Sequence, residues 1–349
     1  MEKKIRVLVV DDSAMIRNVL SEGLQQDPRL EVIGTASDPY MARDKIVELK
    51  PDVMTLDVEM PRMDGLEFLR KLMAQYPIPV VMVSALTEKG KRITLEALEA
   101  GAIDFVTKPK ADIARGLKEM MVELRIKVKL AASANVSHYK AGRAEALKTI
   151  SAPKSLAETT DKIIVIGASA GGTEAIKDVV TRFPAVTPGV VIVQHMPEGF
   201  TRLFAERLNG LCQMYVKEAA DGDRVMPGVI LIARGSYHMR VVRSGGIYRV
   251  KCEKGEKVCG HCPSVEVLMK SAAECAGANA VGIMLTGMGH DGAAGMKAMR
   301  DAGARTIAQN EESCVVFGMP KAAINAGGVE FVLPLDDIPG KIISLFSDK

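Results

Sequence analysis

Residues 163–174 of the chain read IIVIGASAGGTE. Four apolar residues run directly into a loop of small residues that carries Ser169, and helix-forming residues follow. A short apolar run that ends in glycines is typical of a buried parallel strand turning into a helix. Such a turn presents backbone N–H groups at the positive end of the helix dipole. The stretch therefore predicts a parallel α/β sheet, with Ser169 as a candidate nucleophile at its edge.

The length and composition of the chain indicate a globular protein of about two domains. At 349 residues it is too long for one ordinary core, and 48% hydrophobic with 26% charged residues is a usual balance. Apolar runs stay below the roughly 18 residues that a membrane-spanning helix needs. The N-terminus enters an apolar strand pattern at once, so we expect no signal peptide. We therefore expect a cytoplasmic protein without membrane insertion, whose six cysteines are free thiols.

The net charge of +3 is concentrated in one segment. Residues 129–160 hold five of the 46 basic residues but only two of the 43 acidic ones, which leaves 41 of each elsewhere. A nucleic-acid site would need its basic residues on one face of a folded domain. The distribution therefore predicts no nucleic-acid partner.

The first 128 residues alternate strand and helix patterns five times, which predicts a parallel sheet with helices on both faces. In such sheets, ligands bind beyond the carboxyl ends of the strands. The predicted strands are residues 5–10, 31–36, 52–56, 79–84 and 104–107.

Polar residues end or directly follow four of these strands: Asp11 and Asp12, Asp57, Ser84, and Lys108. Clustered carboxylates repel one another unless a cation lies among them, and Mg²⁺ prefers such oxygen ligands. Asp57 could then accept a phosphoryl group whose oxygens Lys108 and Ser84 stabilise. Taken singly, each residue could instead be a helix cap, a turn residue or a solvated charge. Their shared position at strand ends favours a phosphorylation site.

Four motifs mark these strand ends: VVDDS at 9–13, LDVEMPRMDG at 56–65, VSA at 83–85 and FVTKP at 105–109. On these motifs, the first domain resembles a response-regulator receiver domain over residues 4–125. The resemblance implies a flavodoxin-like fold of five parallel strands in the order 2-1-3-4-5, with phosphorylation on Asp57.

The same resemblance implies roles for the residues around Asp57. Mg²⁺ would be held by Asp12, Asp57 and the carbonyl group of Glu59, with Asp11 nearby. The partners of the phosphoryl group and the aromatic residue that reports the switch would be Lys108, Ser84 and Phe105.

Strand and helix patterns stop in residues 129–160, which are mostly small, polar or helix-breaking. The segment reads as a mobile linker with one short helix at 144–148, and His138 and Tyr139 read as solvated. The predicted organisation is a receiver domain at 1–128, a linker at 129–160 and a catalytic domain at 161–349.

The second domain predicts a doubly wound, mostly parallel sheet that includes an antiparallel hairpin. The turn Ser244-Gly245-Gly246 joins two apolar patterns, 239–243 and 248–252, as in a hairpin. We expect this hairpin at one edge of the sheet. The other predicted strands are 162–167, 189–194, 214–218, 229–233, 280–286, 305–308 and 329–333.

A serine becomes a strong nucleophile when a base takes its proton and an acid orients that base. Among five histidines, His195 directly follows the apolar strand 189–194, at the same sheet edge as Ser169. Asp291 lies in a glycine-rich loop after strand 280–286, opposite the serine loop. We therefore take His195 as the candidate base and Asp291 as the candidate acid.

Two local alternatives accompany this interpretation. Asp291 could merely be the N-cap of a helix over 292–302. The stretch around Ser169 also matches G-x-S-x-G, but the order serine, histidine, aspartate differs from that of α/β-hydrolases. Backbone N–H groups around Ala170 and Met288 are candidates for an oxyanion hole.

Four stretches of the second domain carry a further resemblance: 166–176, 193–197, 263–265 and 285–292. On these stretches, residues 161–348 resemble the catalytic domain of chemotaxis protein-glutamate methylesterases. The resemblance implies a Ser169–His195–Asp291 triad that hydrolyses glutamate methyl esters on chemotaxis receptors and deamidates particular glutamines. It also implies activation when a chemotaxis histidine kinase phosphorylates Asp57. We expect a monomer that needs no cofactor for ester hydrolysis.

Two features depart from the family pattern. Ala170 stands where many relatives have threonine, and C-G-H-C at 259–262 is not part of the pattern. A C-x-x-C pair can indicate zinc or redox work, but a structural zinc site needs further ligands, and Cys252 is the nearest spare thiol. A phosphorylation-controlled binding module without turnover is the alternative from another functional class; a DNA-binding output domain would need a helix-turn-helix pattern, which the sequence lacks.

Overall fold

The computed structural model describes residues 3–60, 63–85, 87–109, 113–136 and 161–347. The short helix expected at 144–148 and the solvated His138 and Tyr139 lie outside these ranges. The described residues fall into two compact units, one on each side of the junction between residues 144 and 145.

The first unit is a five-stranded parallel sheet in the predicted order 2-1-3-4-5. The last helix runs to residue 131, past the predicted domain boundary at 128. The strands are β1 (Ile5–Val10), β2 (Leu30–Ala36), β3 (Val53–Asp57), β4 (Val80–Ala85) and β5 (Asp104–Lys108). The helices are α1 (Ala14–Gln25), α2 (Pro39–Leu49), α3 (Gly65–Gln75), α4 (Glu88–Glu99) and α5 (Ile113–Ala131).

Polar caps begin the first four helices of this unit. In each case the side-chain oxygen accepts a hydrogen bond from a backbone N–H in the first turn, which stabilises a helix by about 1 kcal/mol. Each of these helices therefore begins soon after a strand ends. The side chains at the strand ends lie in the short connections, at one edge of the sheet. The capping residues are Ser13, Asp38, Asp64 and Thr87.

The second unit is built on a seven-stranded parallel sheet in the order 14-13-12-6-7-9-8. Its strands are β6 (Ile163–Ala168), β7 (Gly189–Gln194), β8 (Tyr215–Glu218), β9 (Val229–Ile232), β12 (Ala280–Met284), β13 (Arg305–Gln309) and β14 (Phe331–Leu333). Its helices are α6 (Gly172–Val180), α7 (Phe200–Asn209), α8 (Val265–Ala276), α9 (Ala293–Asp301), α10 (Met319–Asn325) and α11 (Ile338–Ser347).

The predicted hairpin is confirmed as β10 (His238–Ser244) and β11 (Ile247–Glu253). Its expected position at an edge of the main sheet is wrong, because the two strands form a sheet of their own. One face of the hairpin is apolar and packs in the core that includes α8, where Ser271 accepts a hydrogen bond from the Val241 N–H at 2.9 Å. Burying a face, and not an edge, is what the alternating apolar residues of the hairpin require.

The N-terminus of α8 lies against the end of β6. A Cβ atom on Gly167 would approach Cγ1 of Val265 to 2.3 Å, so only glycine permits this contact. The close approach brings the first turn of α8 to the strand that leads to Ser169.

Among the described helices, none has both the length and the apolar composition to cross a membrane.

Candidate active site and candidate metal centre

Ser169 follows β6 directly and is held through its backbone. Its N–H donates to the Thr286 carbonyl at 3.0 Å, and its carbonyl accepts from Gly172 N at 2.7 Å and Gln194 Nε2 at 2.9 Å. The residue is partly exposed. The main chain therefore fixes the turn and leaves the hydroxyl group available for chemistry.

Two glycines allow the loops around Ser169 to approach closely. Gly171 has φ of +73°, and a Cβ atom there would lie 2.6 Å from Cβ of Val315. A Cβ atom on Gly287 would lie 2.9 Å from Cβ of Ser169. The glycines therefore set the distance between the serine loop and the loop that follows β12.

His195 follows β7 and lies next to the serine turn, since its N–H donates to the Ala168 carbonyl at 3.3 Å. Its Nε2 lies 2.8 Å from Oδ2 of Asp291. Its Nδ1 is buried and has no hydrogen-bond partner among the described residues. The carboxylate contact places the proton on Nε2, so Nδ1 carries the lone pair that can accept a proton.

Asp291 is buried and accepts three further hydrogen bonds, all from the start of α8. Ser264 Oγ donates to Oδ1 at 2.7 Å, Val265 N to Oδ2 at 2.7 Å and Glu266 N to Oδ1 at 3.0 Å. The alternative that Asp291 caps its own helix is wrong, because Gly292 occupies the N-cap of α9 and Asp291 caps α8 instead.

The environment of Asp291 lowers the pKa of its carboxyl group. Burial by itself would raise this pKa, but the hydrogen bond and charge interaction with His195 outweigh it, together with the donors Ser264 and Glu266. The first turn of α8 also presents the positive end of its dipole. Asp291 is therefore held ionised beside the imidazole.

Glu266, in the first turn of α8, caps the neighbouring helix α9. Its Oε2 accepts a hydrogen bond from Gly295 N in the first turn of α9 at 2.9 Å, and Lys270 Nζ lies 2.9 Å from its Oε1. Asp291, which precedes the N-cap of α9, thus caps α8, and Glu266 of α8 caps α9. This exchange locks the two helices together and fixes the carboxylate of Asp291 in space.

His261 is a neighbour of the candidate base that sequence reasoning missed. Its ring stacks on the ring of His195 with 3.7 Å between centroids and 7° between planes. His261 belongs to the C-G-H-C motif at 259–262, which departs from the family pattern and could have drawn attention to it. The sequence suggested only a metal or redox role for that motif. In the described part of the chain, the residues grouped closely enough to hold a metal are Asp11, Asp12 and Asp57, and the motif is not among them.

The candidate oxyanion donors lie in the two loops that meet at Ser169. In the described ranges, the backbone N–H groups of Ala170 and Met288 donate no hydrogen bond. The Thr286 hydroxyl group donates to the Ala170 carbonyl at 3.0 Å, which ties the two loops together. Unused N–H groups on a fixed backbone are suitable donors to a developing oxyanion.

The acidic residues of the first unit meet as the strand ends predict. Ligand oxygens of Asp11, Asp12 and Asp57 lie within 4.8 Å of one another. Lys108 Nζ lies 2.9 Å from Asp11 Oδ2 and 2.9 Å from Asp57 Oδ1. Three carboxylates at this spacing fit Mg²⁺, which takes oxygen ligands and keeps several waters.

Burial, with a smaller contribution from the charge of Asp11, raises the pKa of Asp57 to about 6, although the Lys108 ammonium group opposes both. Burial would lower the pKa of Lys108, but the charges of Asp57 and Asp11 raise it overall. At neutral pH Asp57 is therefore ionised, and its negative charge is only partly balanced, because Lys108 is shared with Asp11.

The other predicted receiver residues are placed as follows. Ser84 is buried, and its hydroxyl group accepts a hydrogen bond from Thr94 Oγ1 of α4 at 2.6 Å. Within the described residues it makes no hydrogen bond to Asp57. Phe105 is buried, with Lys127 Nζ 5.2 Å from its ring centroid, and Glu59 is exposed.

We expect Asp57→Asn to stabilise the first unit at neutral pH. A carboxyl whose pKa is higher in the folded than in the unfolded state favours the fold when protonated, so stability falls as pH rises from about 3.8 to about 6. Asparagine cannot ionise, so the Asp57→Asn chain lacks this destabilisation. Its free energy of unfolding should exceed that of the parent chain by about 1–3 kcal/mol at pH 7.5 without Mg²⁺. Lys108 keeps Asp11 as a partner.

Urea unfolding of both chains at pH 3.5 and pH 7.5, in a chelating buffer, measures this gain. Asp44→Asn is the matched control, since Asp44 is an exposed aspartate paired with Arg43 in the same unit. Equal stability of the Asp57→Asn and parent chains at pH 7.5 would contradict the prediction.

The two folds and their polar clusters define the class of protein, a response regulator whose receiver domain is followed by a parallel-sheet domain with a buried histidine–aspartate pair. Family models agree with both parts. Residues 7–119 match the response regulator receiver domain, and residues 164–342 match the CheB methylesterase domain. The chain belongs to the CheB methylesterase family.

Relatives match along the whole chain. The protein-glutamate methylesterase/protein-glutamine glutaminase of Syntrophotalea carbinolica is 65% identical, over 100% of this chain and 99% of its own length. That of Sulfurimonas denitrificans is 56% identical, over 99% of each chain. The crystal structure of the Thermotoga maritima CheB methylesterase catalytic domain has 39% identity and a TM-score of 0.52, and covers 53% of this chain and 98% of that one.

Proposed function

We propose that this chain is a phosphorylation-activated protein-glutamate methylesterase that also deamidates specific protein glutamines. The observation that carries the proposal is the 2.8 Å contact between His195 Nε2 and Asp291 Oδ2. It leaves Nδ1 buried and unpartnered among the described residues, on a residue whose backbone N–H bonds to Ala168, directly before Ser169. The names of the relatives support the substrate class.

Ester hydrolysis begins when Nδ1 of His195 takes the Ser169 hydroxyl proton and Oγ attacks the glutamyl ester carbonyl. Asp291 stabilises the imidazolium through Nε2 and keeps the ring in the required tautomer. The backbone N–H groups of Ala170 and Met288 stabilise the tetrahedral oxyanion.

The intermediate then collapses to an acyl-enzyme. His195 gives its proton to the leaving group, which is methanol from an ester or ammonia from a glutamine side chain. A water molecule, deprotonated by His195, attacks the acyl carbonyl and releases glutamate from Ser169. The same residues therefore serve both reactions.

In the receiver domain, Asp57 is the phosphorylation site. Asp12, Asp57 and the Glu59 carbonyl would hold Mg²⁺, with Asp11 nearby, and the ion would neutralise charge on the transferring phosphoryl group. Lys108 lies 2.9 Å from Asp57 and supplies a second positive charge. Ser84 is the hydroxyl partner of the phosphoryl group, and Phe105 reports the change of state.

The proposed partners rest on the family to which the chain belongs and on the names of its relatives. A chemotaxis histidine kinase supplies the phosphoryl group, and methyl-accepting chemotaxis receptors supply the substrate glutamates. We infer a monomer without a nucleic-acid partner, located in the cytoplasm, where its six unpaired thiols would stay reduced. The inferred domains are residues 1–128, 129–160 and 161–349.

Methanol release from a methylated chemoreceptor fragment, with and without acetyl phosphate and Mg²⁺, tests this function. We expect release by the parent chain and an increase of about tenfold or more on adding the phosphodonor, because a few kcal/mol of differential stability shifts a two-state equilibrium that far. Asp57→Asn should remove the increase, whereas Asp44→Asn should keep it.

Two outcomes would contradict the proposal. An unchanged rate with phosphodonor, in the parent chain and in Asp57→Asn alike, would reject phosphorylation control. Phosphorylation-dependent binding to the receptor without methanol release would favour the non-catalytic binding module instead.

A further inference from the structure

The ring of His261 lies against the candidate base, yet the proposed reaction does not use it. The two imidazole planes are 7° from parallel, with 3.7 Å between their centroids. That spacing is van der Waals contact for aromatic carbon atoms. His261 therefore covers one face of the His195 ring.

His195 needs such a contact, because its hydrogen bonds do not fix the plane of its ring. Nε2 is held by Asp291, whereas Nδ1 has no partner among the described residues. Rotation about the Cβ–Cγ bond displaces Nδ1 more than Nε2, because Nδ1 lies farther from the axis of that bond. Proton transfer from Ser169 requires Nδ1 at hydrogen-bond distance and in line, so this rotation controls the reactive geometry.

A tight turn presents His261. Val258 and His261 exchange two backbone hydrogen bonds, each 3.0 Å long, across Cys259 and Gly260. Both central residues have positive φ, +51° for Cys259 and +84° for Gly260, as in a type I′ turn. A left-handed conformation costs a residue other than glycine roughly 1–2 kcal/mol, and such strain often marks functional positions.

The chain after this turn also holds the carboxylate of the pair. Cys262 accepts a hydrogen bond from Ser236 N at 3.2 Å, which anchors the segment. Ser264 Oγ and the Val265 N–H then donate to Asp291. One short segment thus places a ring on His195 and donors on Asp291.

We propose that His261 is a positioning residue for His195, whose ring holds the imidazole plane so that Nδ1 faces Ser169. The inference rests on the proposed Ser169–His195–Asp291 mechanism. It assigns His261 no proton transfer. The role requires a flat ring at this position, but it does not require that the ring be an imidazole.

The test compares His261→Ala with His261→Phe in the full chain, by steady-state methanol release. Alanine removes the ring, and we expect kcat to fall about 10- to 100-fold with KM within about twofold, since misplacement of a reacting group costs that much. Phenylalanine keeps a flat ring and should retain kcat within about threefold. Alanine with the parent kcat, or phenylalanine as slow as alanine, would overturn the proposal.

NMR of ¹⁵N-histidine-labelled chains gives a readout that does not depend on activity. We expect His195 in the parent and phenylalanine chains to show one Nε2–H tautomer with sharp signals. The alanine chain should show broadened or averaged ring signals. Identical His195 signals in all three chains would overturn the proposal even if the enzyme were inactive on the chosen substrate.

A turn variant keeps the test valid if His261→Ala does not fold. A Cβ atom at Gly260 would meet no atom within 4 Å. The effect of a substitution there therefore depends on whether the new residue can adopt a φ of +84°. Asparagine adopts this region and valine does not. We expect Gly260→Asn to keep kcat near the parent value and Gly260→Val to lose it as His261→Ala does. Equal rates for both would contradict the role of the turn.

The failures of the two proposals are distinguishable. No methanol release by the parent chain rejects the esterase function. Release that Ser169→Ala abolishes, but that His261→Ala leaves unchanged, rejects the positioning role alone.

Discussion

Substitution of Ser169 by alanine is expected to abolish methanol release, with kcat lower by at least about 10⁴-fold. The hydroxyl group is the attacking nucleophile, and in the described structure neither Ala170 nor Thr286 offers a side chain that His195 could activate equally well. The fold should survive, because the backbone of Ser169, and not its side chain, makes the bonds to Thr286, Gln194 and Gly172.

Methanol release and the thermal unfolding midpoint, measured on the same preparation, check both parts of this expectation. Ser244→Ala is the matched control, because it makes the same change at an exposed serine in the hairpin turn. Its rate and midpoint should equal those of the parent. If Ser169→Ala kept more than about a tenth of the parent kcat, the triad assignment would be wrong.

Asp291→Asn is expected to damage catalysis and stability together. The kcat should fall about 10⁴-fold, since an amide cannot hold the imidazole in the productive tautomer. The free energy of unfolding should fall by about 2–4 kcal/mol, because a buried group loses hydrogen bonds to charged and backbone partners.

Neither orientation of the asparagine can avoid the second effect. Oδ2 accepts from the N–H of Val265 and Oδ1 from the N–H of Glu266, so the amide NH₂ group always meets a backbone donor. The favourable interaction of the carboxylate with the dipole of α8 is lost as well.

Ser264→Ala is the control, because it removes one donor to Oδ1 while the His195 contact on Oδ2 remains. It should cost about 1 kcal/mol and leave kcat within about tenfold. Urea unfolding and methanol release of the two variants separate the effects. An Asp291→Asn chain as stable as the parent would contradict the capping role, and one with kcat within tenfold would contradict the orienting role.

The stabilising role of the Asp291 carboxylate should also appear in the pH dependence of the free energy of unfolding. The folded state lowers the pKa of Asp291, so its stabilising contribution is complete above its ordinary value of 3.8 and is lost as pH falls below that value. The asparagine chain should lack this acid-side loss.

Local chemistry determined much of the fold. Apolar periodicity located the strands within two residues of their observed ends, as for β8 and β14, and the Ser244-Gly245-Gly246 turn predicted the hairpin. Strand ends also predicted where Asp57 and Lys108 meet, because the carboxyl ends of parallel strands share one edge.

Tertiary structure alone decided the arrangement around the imidazole. The sequence marked Ser169, His195 and Asp291 as residues at one edge, but it placed the hairpin at an edge of the sheet and treated His261 as part of a possible metal or redox motif. Packing of α8 against β6 brings His261 onto His195 and makes Asp291 the cap of α8. Periodicity and turn chemistry act between neighbours along the chain, whereas these contacts join residues tens of positions apart and depend on how helices and sheet pack.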